Sequence, residues 1–208
     1  MVKIAVLVSG GGTNLQALID AQARGEIVGG QLSLVIASKP GVYALERAEK
    51  AGIPSCVIAR KDYDSAQAMT VALVEKLQAE GIGLVVLAGF MTIITGEMVT
   101  AYPNAILNVH PALIPSFCGQ GFYGLHVHEK ALSYGVKVSG ATVHFVSEEC
   151  DGGPIVLQKA VEVLDGDTPE TLQKRIMEQA EWVLLPQAVS LFCQGRLKVE
   201  GRRVKILP

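Results

Sequence analysis

The chain has 208 residues, half of them hydrophobic and 18% charged, with a net charge of −2. That composition builds a substantial globular core and excludes a disordered chain. Its Lys and Arg are scattered, as in RKDYD and GRRVK, so there is no basic stripe for nucleic acid, and its longest apolar runs, KIAVLV and LVVLAGF, are too short to span a bilayer.

The first hundred residues alternate strand-length apolar runs with helical periods. KIAVLVS reads as a strand. Its start weakly resembles a signal peptide, but it runs into a glycine turn and a helical pattern with no small-residue cleavage site. NLQALIDAQARG follows as a helix with Leu15, Leu18 and Ile19 on one face and a Gly stop. LSLVIAS, PSCVIA and LVVLAG are the next strands, and YALERAEKAG and SAQAMTVALVEKLQAEG are the helices between them. Continuous runs without alternation suit strands buried on both faces, hence a doubly wound α/β fold whose mostly parallel sheet carries helices on both faces.

Past residue 105 the pattern changes. AILNVHP is a fifth strand, SFCGQGFYG a glycine-rich loop and HVHEKALSYG a short helix. SGATVHFVS and IVLQKAVEV alternate in part, so the sheet becomes mixed in the C-terminal half. A long helix opens at Asp167 or Thr168 with Pro169 in its first turn, and Pro186 is expected to kink or split it. LKVEGRRVKIL closes as a hairpin around Glu200–Gly201. With no linker or repeat, residues 1–208 read as one domain, its patterning changing between residues 1–100 and 101–208. Cys56, Cys118, Cys150 and Cys193 are widely spaced without a CxxC pair, so neither a zinc site nor a disulfide framework is expected and the protein reads as reduced and cytoplasmic.

Two places carry chemistry. The first is VSGGGTNLQALI, where a glycine turn opens a helix. Successive glycines let backbone N–H groups approach an anion, and Thr13 and Asn14 add polar groups or a helix cap. Gly10 and Gly12 match the first half of GxGxxG, but Leu15 fills the third position and the second strand ends in ASKP without an acid, which disfavours a dinucleotide. A phosphate-bearing small molecule is the functional reading, and a plain tight turn the alternative.

The second place is NVHPALIP. Asn108 and His110 are two apart, so on a strand they share a face, and Pro111 ends the strand there. A hydrogen-bonded core histidine is the plain alternative. In EECDGGPI, Asp151 precedes two glycines; it is either turn chemistry or a carboxylate available to pair with His110. Such a partner would raise the imidazole pKa and hold an imidazolium, which beside an amide NH2 would stabilise an oxyanion forming on a carbonyl carbon. GxSxG is absent, so no nucleophile elbow is present. His126, His128 and His144 have no helical metal-ligand spacing, and packing or substrate contacts are expected of them.

Taken together and in order, VLVSGGGTNLQALI, LERAEKAGI, LVVLAGFMTII, ILNVHPALIPSF, GLHVHEKAL, GATVHFVSEECDGGPIVLQ and GRLKV resemble the phosphoribosylglycinamide formyltransferases over nearly the whole chain. The resemblance implies formyl transfer from 10-formyltetrahydrofolate to the amine of glycinamide ribonucleotide, in purine synthesis, with no metal. It implies catalytic roles for Asn108, His110 and Asp151. It implies that Gly12, Thr13 and Asn14 bind the substrate phosphate, and that Glu181, or Glu178 if the helix register differs, contacts the ribonucleotide. Leu87, Met91, Thr92, Ile93 and Ile94, with Asn108 and the VSEECD backbone, would hold the folate.

The chain departs from the family pattern in three places. Thr92 stands where many members have Arg, Ala66 follows Asp64–Ser65 where members often carry a basic residue, and SFCGQGFYG is longer than the short PxYPG form, long enough for a lid over the amine. A formyltetrahydrofolate deformylase is disfavoured because those enzymes usually carry an extra N-terminal domain. A methionyl-tRNA formyltransferase is disfavoured by charge and length. A non-catalytic nucleotide-binding module leaves Asn108, His110 and Asp151 unexplained. The partners expected are the two small-molecule substrates, and the sequence is compatible with a homodimer.

Overall fold

The computed structural model describes residues 1–208. One nine-stranded sheet runs through it in the order β3-β2-β1-β4-β5-β6-β7-β9-β8. Strands β1 (Val2–Val8), β2 (Gly30–Ala37), β3 (Ser55–Val57), β4 (Leu84–Leu87) and β5 (Ile106–His110) pair in parallel. Strands β6 (Val138–Phe145) and β7 (Ile155–Glu162) then run antiparallel to their predecessors. The hairpin β8 (Leu197–Glu200) and β9 (Arg203–Ile206) is attached through a single parallel bridge, Ile155 to Arg203. The mixed sheet with helices on both faces is therefore as the sequence patterning predicts.

Burial explains the unbroken apolar runs. From Ile4 to Val8 every residue of β1 has no solvent exposure, because successive side chains enter opposite cores. Ile4, Val6 and Val8 join the larger core beneath α1 (Thr13–Ala23), α2 (Tyr43–Lys50), α6 (Pro169–Ile176) and α7 (Trp182–Cys193). Ala5 and Leu7 join the smaller one beneath α3 (Ala66–Ala79) and α4 (Gly96–Ala101). Local signals set the helix ends. The Ser65 hydroxyl accepts the Ala68 N–H at 3.0 Å, and Thr168 forms a capping box with Thr171, with Pro169 following it.

Three helical elements were not expected, a single 3-10 turn at Arg60–Asp62 among them. The six-residue α4 is too short to display a helical period. The long C-terminal helix is interrupted at Met177–Glu181, a π turn, and not at Pro186. There the Trp182 N–H reaches back to the Met177 carbonyl. Pro186 has no N–H for the Trp182 carbonyl four residues before it, so the ladder is already weakened at this point. The widened turn pushes Glu181 towards the glycine turn.

The helix α5 (Leu125–Tyr134) buries Val127, His128 and Ala131 and ends on the left-handed Gly135. His128 has no solvent exposure, and neither ring nitrogen has a hydrogen-bond partner. Burial, with His110 nearby, pulls its pKa from 6.5 to about 4. Between those values the unfolded chain binds the extra proton, so this group's contribution to stability falls as pH drops through that window and is unaffected above it. His128→Leu is expected to flatten that dependence. The gap in unfolding free energy between variant and wild type should widen in favour of the variant by about 3 kcal/mol from pH 6.5 to 4, read by urea titration at several pH values.

Candidate active site

Strand order reverses between β2-β1 and β4-β5, so the crevice beyond the carboxyl ends of β1 and β4 is where such a sheet binds ligands. The strand ends are tied together around Ser9. Its hydroxyl accepts the Met91 N–H at 2.8 Å and lies 2.7 Å from the Ser38 hydroxyl. The glycine turn, the loop after β4 and the end of β5 thus face one opening.

At the end of β5, Asn108 and His110 lie on the same face, as their spacing predicts. The antiparallel partner β6 places His144 directly opposite Asn108. Asp151 comes from the 147–154 loop, and its two oxygens divide between the histidines. One lies 3.5 Å from His110 Nδ1 and the other 3.5 Å from His144 Nε2. Asn108 Nδ2 is 3.1 Å from His144 Nε2 and 3.4 Å from Asp151 Oδ1. Asp151 has φ +53, a left-handed conformation that Asp tolerates better than most residues and that aims its carboxylate inward. A Cβ on Gly153 would collide with the Phe145 carbonyl, so the loop can close against β6 only with glycine there.

Burial overturns the expectation of a resting imidazolium. His110 is only 4% exposed, and loss of solvent pulls its pKa below the usual value; the Asp151 carboxylate and the Phe117 carbonyl oppose this without outweighing it. His110 Nε2 lies 2.8 Å from the Phe117 carbonyl oxygen, which only accepts, so the hydrogen sits on Nε2. Burial would raise the Asp151 pKa, but His144, His110 and the Gly119 N–H together hold it below the usual value, so it is a carboxylate at neutral pH.

The 116–124 loop does more than hang over the opening. Phe117, at φ +50, turns its carbonyl onto His110, and the Gly119 N–H donates to Asp151 Oδ2 at 2.9 Å. Its aromatic rings hold it in place, with Phe117 packing edge-on against Tyr134 of α5 at 6.0 Å and near Phe122 at 6.4 Å.

At the glycine turn, Gly12 adopts φ +71 as the N-cap of α1, and a Cβ there would lie 2.7 Å from the Ala44 Cβ. No side chain caps this helix. Asn14 is buried and donates to Glu181 Oε2 at 2.7 Å. Thr13 Oγ1 lies 3.8 Å from the Met177 sulfur. Glu181 is 6% exposed, and burial raises its pKa to about 7 despite the Asn14 bond. Of the two glutamates considered from the register, Glu181 meets the turn, whereas Glu178 is half exposed and lies 3.9 Å from Lys174. Arg47 of α2 donates from Nε to the Gly11 carbonyl at 2.8 Å and adds positive charge beside the turn.

The loop after β4 follows Leu87, which is buried at the strand end. Met91 and Ile93 are exposed by 54% and 78%, and Thr92 and Ile94 are half-buried. Beyond Ile94, a cleft of about 390 Å³ is lined by Ile94, Thr95, Gly96, Val99, Ser147 and Glu148. It joins this loop to the Asp151 loop, and its lining is mixed, with Ile94 and Val99 beside Thr95, Ser147 and Glu148.

A formyl transferase family model matches residues 2–189, which include every residue of this site. The chain belongs to the formyl transferase family. It is 40% identical over 200 residues to phosphoribosylglycinamide formyltransferase of Haemophilus influenzae, covering 96% of this chain and 91% of that one. It is 44% identical over 198 residues to a trifunctional purine biosynthetic protein of Gallus gallus, and spans 95% of this chain but only 19% of that relative's length. The solved structure of glycinamide ribonucleotide transformylase 1 from Symbiobacterium toebii superposes with a TM-score of 0.94 at 48% identity, covering 100% of this chain and 95% of that one. A formyl transferase fold thus brings Asn108, His110 and Asp151 together, with Gly12, Asn14 and Glu181 grouped across the crevice.

Sequence reading missed His144, Phe117, Arg47 and Ser9 as members of this constellation. His144 sits in an alternating strand segment, so its inward face was legible, but the register that sets it opposite Asn108 was not. The others act through a hydroxyl, a carbonyl or a guanidinium on backbone groups, and no motif marks such contacts.

Proposed function

We propose that this formyl transferase moves the formyl group of 10-formyltetrahydrofolate to the amine of glycinamide ribonucleotide. The observation that carries this reading is the convergence of Asn108, His110 and Asp151 at the carboxyl end of β5, one strand from the switch point of the sheet, with a glycine turn at that switch point. The high identity to a relative of nearly the same length supports the choice of amine substrate.

The folate donor supplies the formyl carbon, which the substrate amine attacks while the formyl oxygen gains negative charge. His110 Nε2–H leaves the Phe117 carbonyl and donates to that oxygen, and Asn108 contributes its second N–H. Asp151, ionised at rest, takes the proton the amine sheds; that proton ends on the folate nitrogen as the C–N bond breaks, so no net proton is released. Backbone N–H groups at the start of α1 hold the phosphate, with Arg47 nearby, and Glu181 addresses the ribonucleotide. The exposed Met91 and Ile93 offer an apolar face for the folate ring beside the mixed cleft at Ile94.

The test mixes enzyme and 10-formylfolate donor with and without glycinamide ribonucleotide. An absorbance change that requires the ribonucleotide is the expected result; a change without it means transfer to water, and none in either mixture means a binding module. Gly12→Ala is expected to raise KM for the ribonucleotide by about tenfold or more, the equivalent of one lost charge-assisted hydrogen bond, with KM for the folate little changed. Steady-state kinetics in both substrates reads this directly.

A further inference from the structure

We propose that His144 is a positioning residue that sets which way the Asn108 amide faces. This rests on the formyl-transfer reading of the site, in which one Asn108 N–H must be free to meet the formyl oxygen.

The hydrogen-bond chemistry at His144 fixes the role of one ring nitrogen. The ring is 2% exposed, and its Nδ1 lies 2.9 Å from the Phe145 carbonyl oxygen. A carbonyl only accepts, so Nδ1 carries a hydrogen, and the tautomer with its single proton there presents a lone pair at Nε2. Asn108 Nδ2 lies 3.1 Å from that lone pair and 3.4 Å from Asp151 Oδ1. The NH2 group therefore fills the gap between two acceptors. The flipped amide would point its oxygen at a lone pair and a carboxylate at once, with no proton between them.

The two N–H groups are thereby made unequal. The shorter bond, to His144, anchors the amide; the longer one, to Asp151, is the one a formyl oxygen can replace at little loss. The backbone places the ring independently. The β5–β6 pairing runs without interruption from Leu107–Phe145 to His110–Thr142 and sets His144 opposite Asn108. The extra residue of the β6–β7 irregularity, Val156, lies on β7 and leaves that register untouched.

The test is a double-mutant cycle with His144→Phe, which keeps a ring but removes the acceptor, and Asn108→Ala. His144→Phe alone is expected to lower kcat about tenfold or more with both KM values within about twofold. In the Asn108→Ala background the same change is expected to lower kcat by less than about twofold, because nothing remains to be oriented. His144→Gln, whose amide oxygen can accept the same N–H, is expected to recover most of the loss. Equal penalties in the two backgrounds, or a Gln variant as slow as the Phe variant, would overturn the proposal.

Two-dimensional NMR of the free protein supplies a readout that needs no turnover. One Asn108 side-chain amide proton is expected downfield and slow to exchange with water in wild type and in His144→Gln, and upfield and fast to exchange in His144→Phe or, if that variant does not fold, in His144→Leu. An unshifted, slowly exchanging proton in the acceptor-free variant overturns the proposal. If wild-type protein fails to transfer formyl to the ribonucleotide, the functional reading falls, and the amide signals alone decide the hold of His144 on Asn108.

Discussion

His110→Ala is expected to lower kcat for formyl transfer by about a thousandfold, the scale of losing a single oxyanion donor in a dry site. The ring is 4% exposed and its Nε2–H already points into the crevice, so it moves no solvent when it exchanges the Phe117 carbonyl for a formyl oxygen. Both KM values should change little, because the donor is needed only once charge develops on the oxygen. Circular dichroism and a melting curve check that the variant is folded, which is expected because the residue ends a strand and is not among the large core side chains. A purified, folded His110→Ala protein with near wild-type turnover would remove His110 from the chemistry.

Asp151→Asn is expected to lower turnover further, by about three to four orders of magnitude. The substitution preserves the shape but removes both the negative charge and the base. It also sets an amide against Asn108, so two NH2 groups compete for His144. The Gly119 N–H bond that ties the 116–124 loop to the site survives through the remaining carbonyl oxygen, so the loop is expected to stay in place. The pH profile gives a second readout. The wild-type carboxylate titrates below the usual Asp range, so an acid limb due to Asp151 falls below that range and is absent from the residual activity of the Asn variant. A Glu variant restores the charge but adds a methylene to a left-handed, tightly packed loop, and should recover only part of the activity.

Both expectations depend on the loop at 116–124, whose role the length of SFCGQGFYG suggested without defining. The structure closes it onto the very groups the chemistry needs, since Phe117 and Gly119 satisfy His110 and Asp151 when no formyl oxygen is present. A buried donor or acceptor without a partner costs about 1–3 kcal/mol, so a partner that yields to substrate keeps the site folded between turnovers.

Much of this molecule was legible in one dimension. Unbroken apolar runs such as LVVL announced strands buried on both faces, and glycines after helical periods marked the turns, because burial and backbone freedom are properties of the local sequence. The spacing of Asn108 and His110 already put them on one face of β5, since side chains alternate along any strand. What the chain order could not decide was everything requiring two distant segments at once. The β5–β6 register brings His144 to Asn108, the π turn before α7 delivers Glu181 to Asn14, and the left-handed Asp151 reaches both histidines. The protonation of His110 belongs to the same class. Sequence pairs it with a carboxylate and so predicts a cation, but the desolvation that pulls its pKa down comes from the packed elements around it, and only tertiary structure determines how much water they exclude.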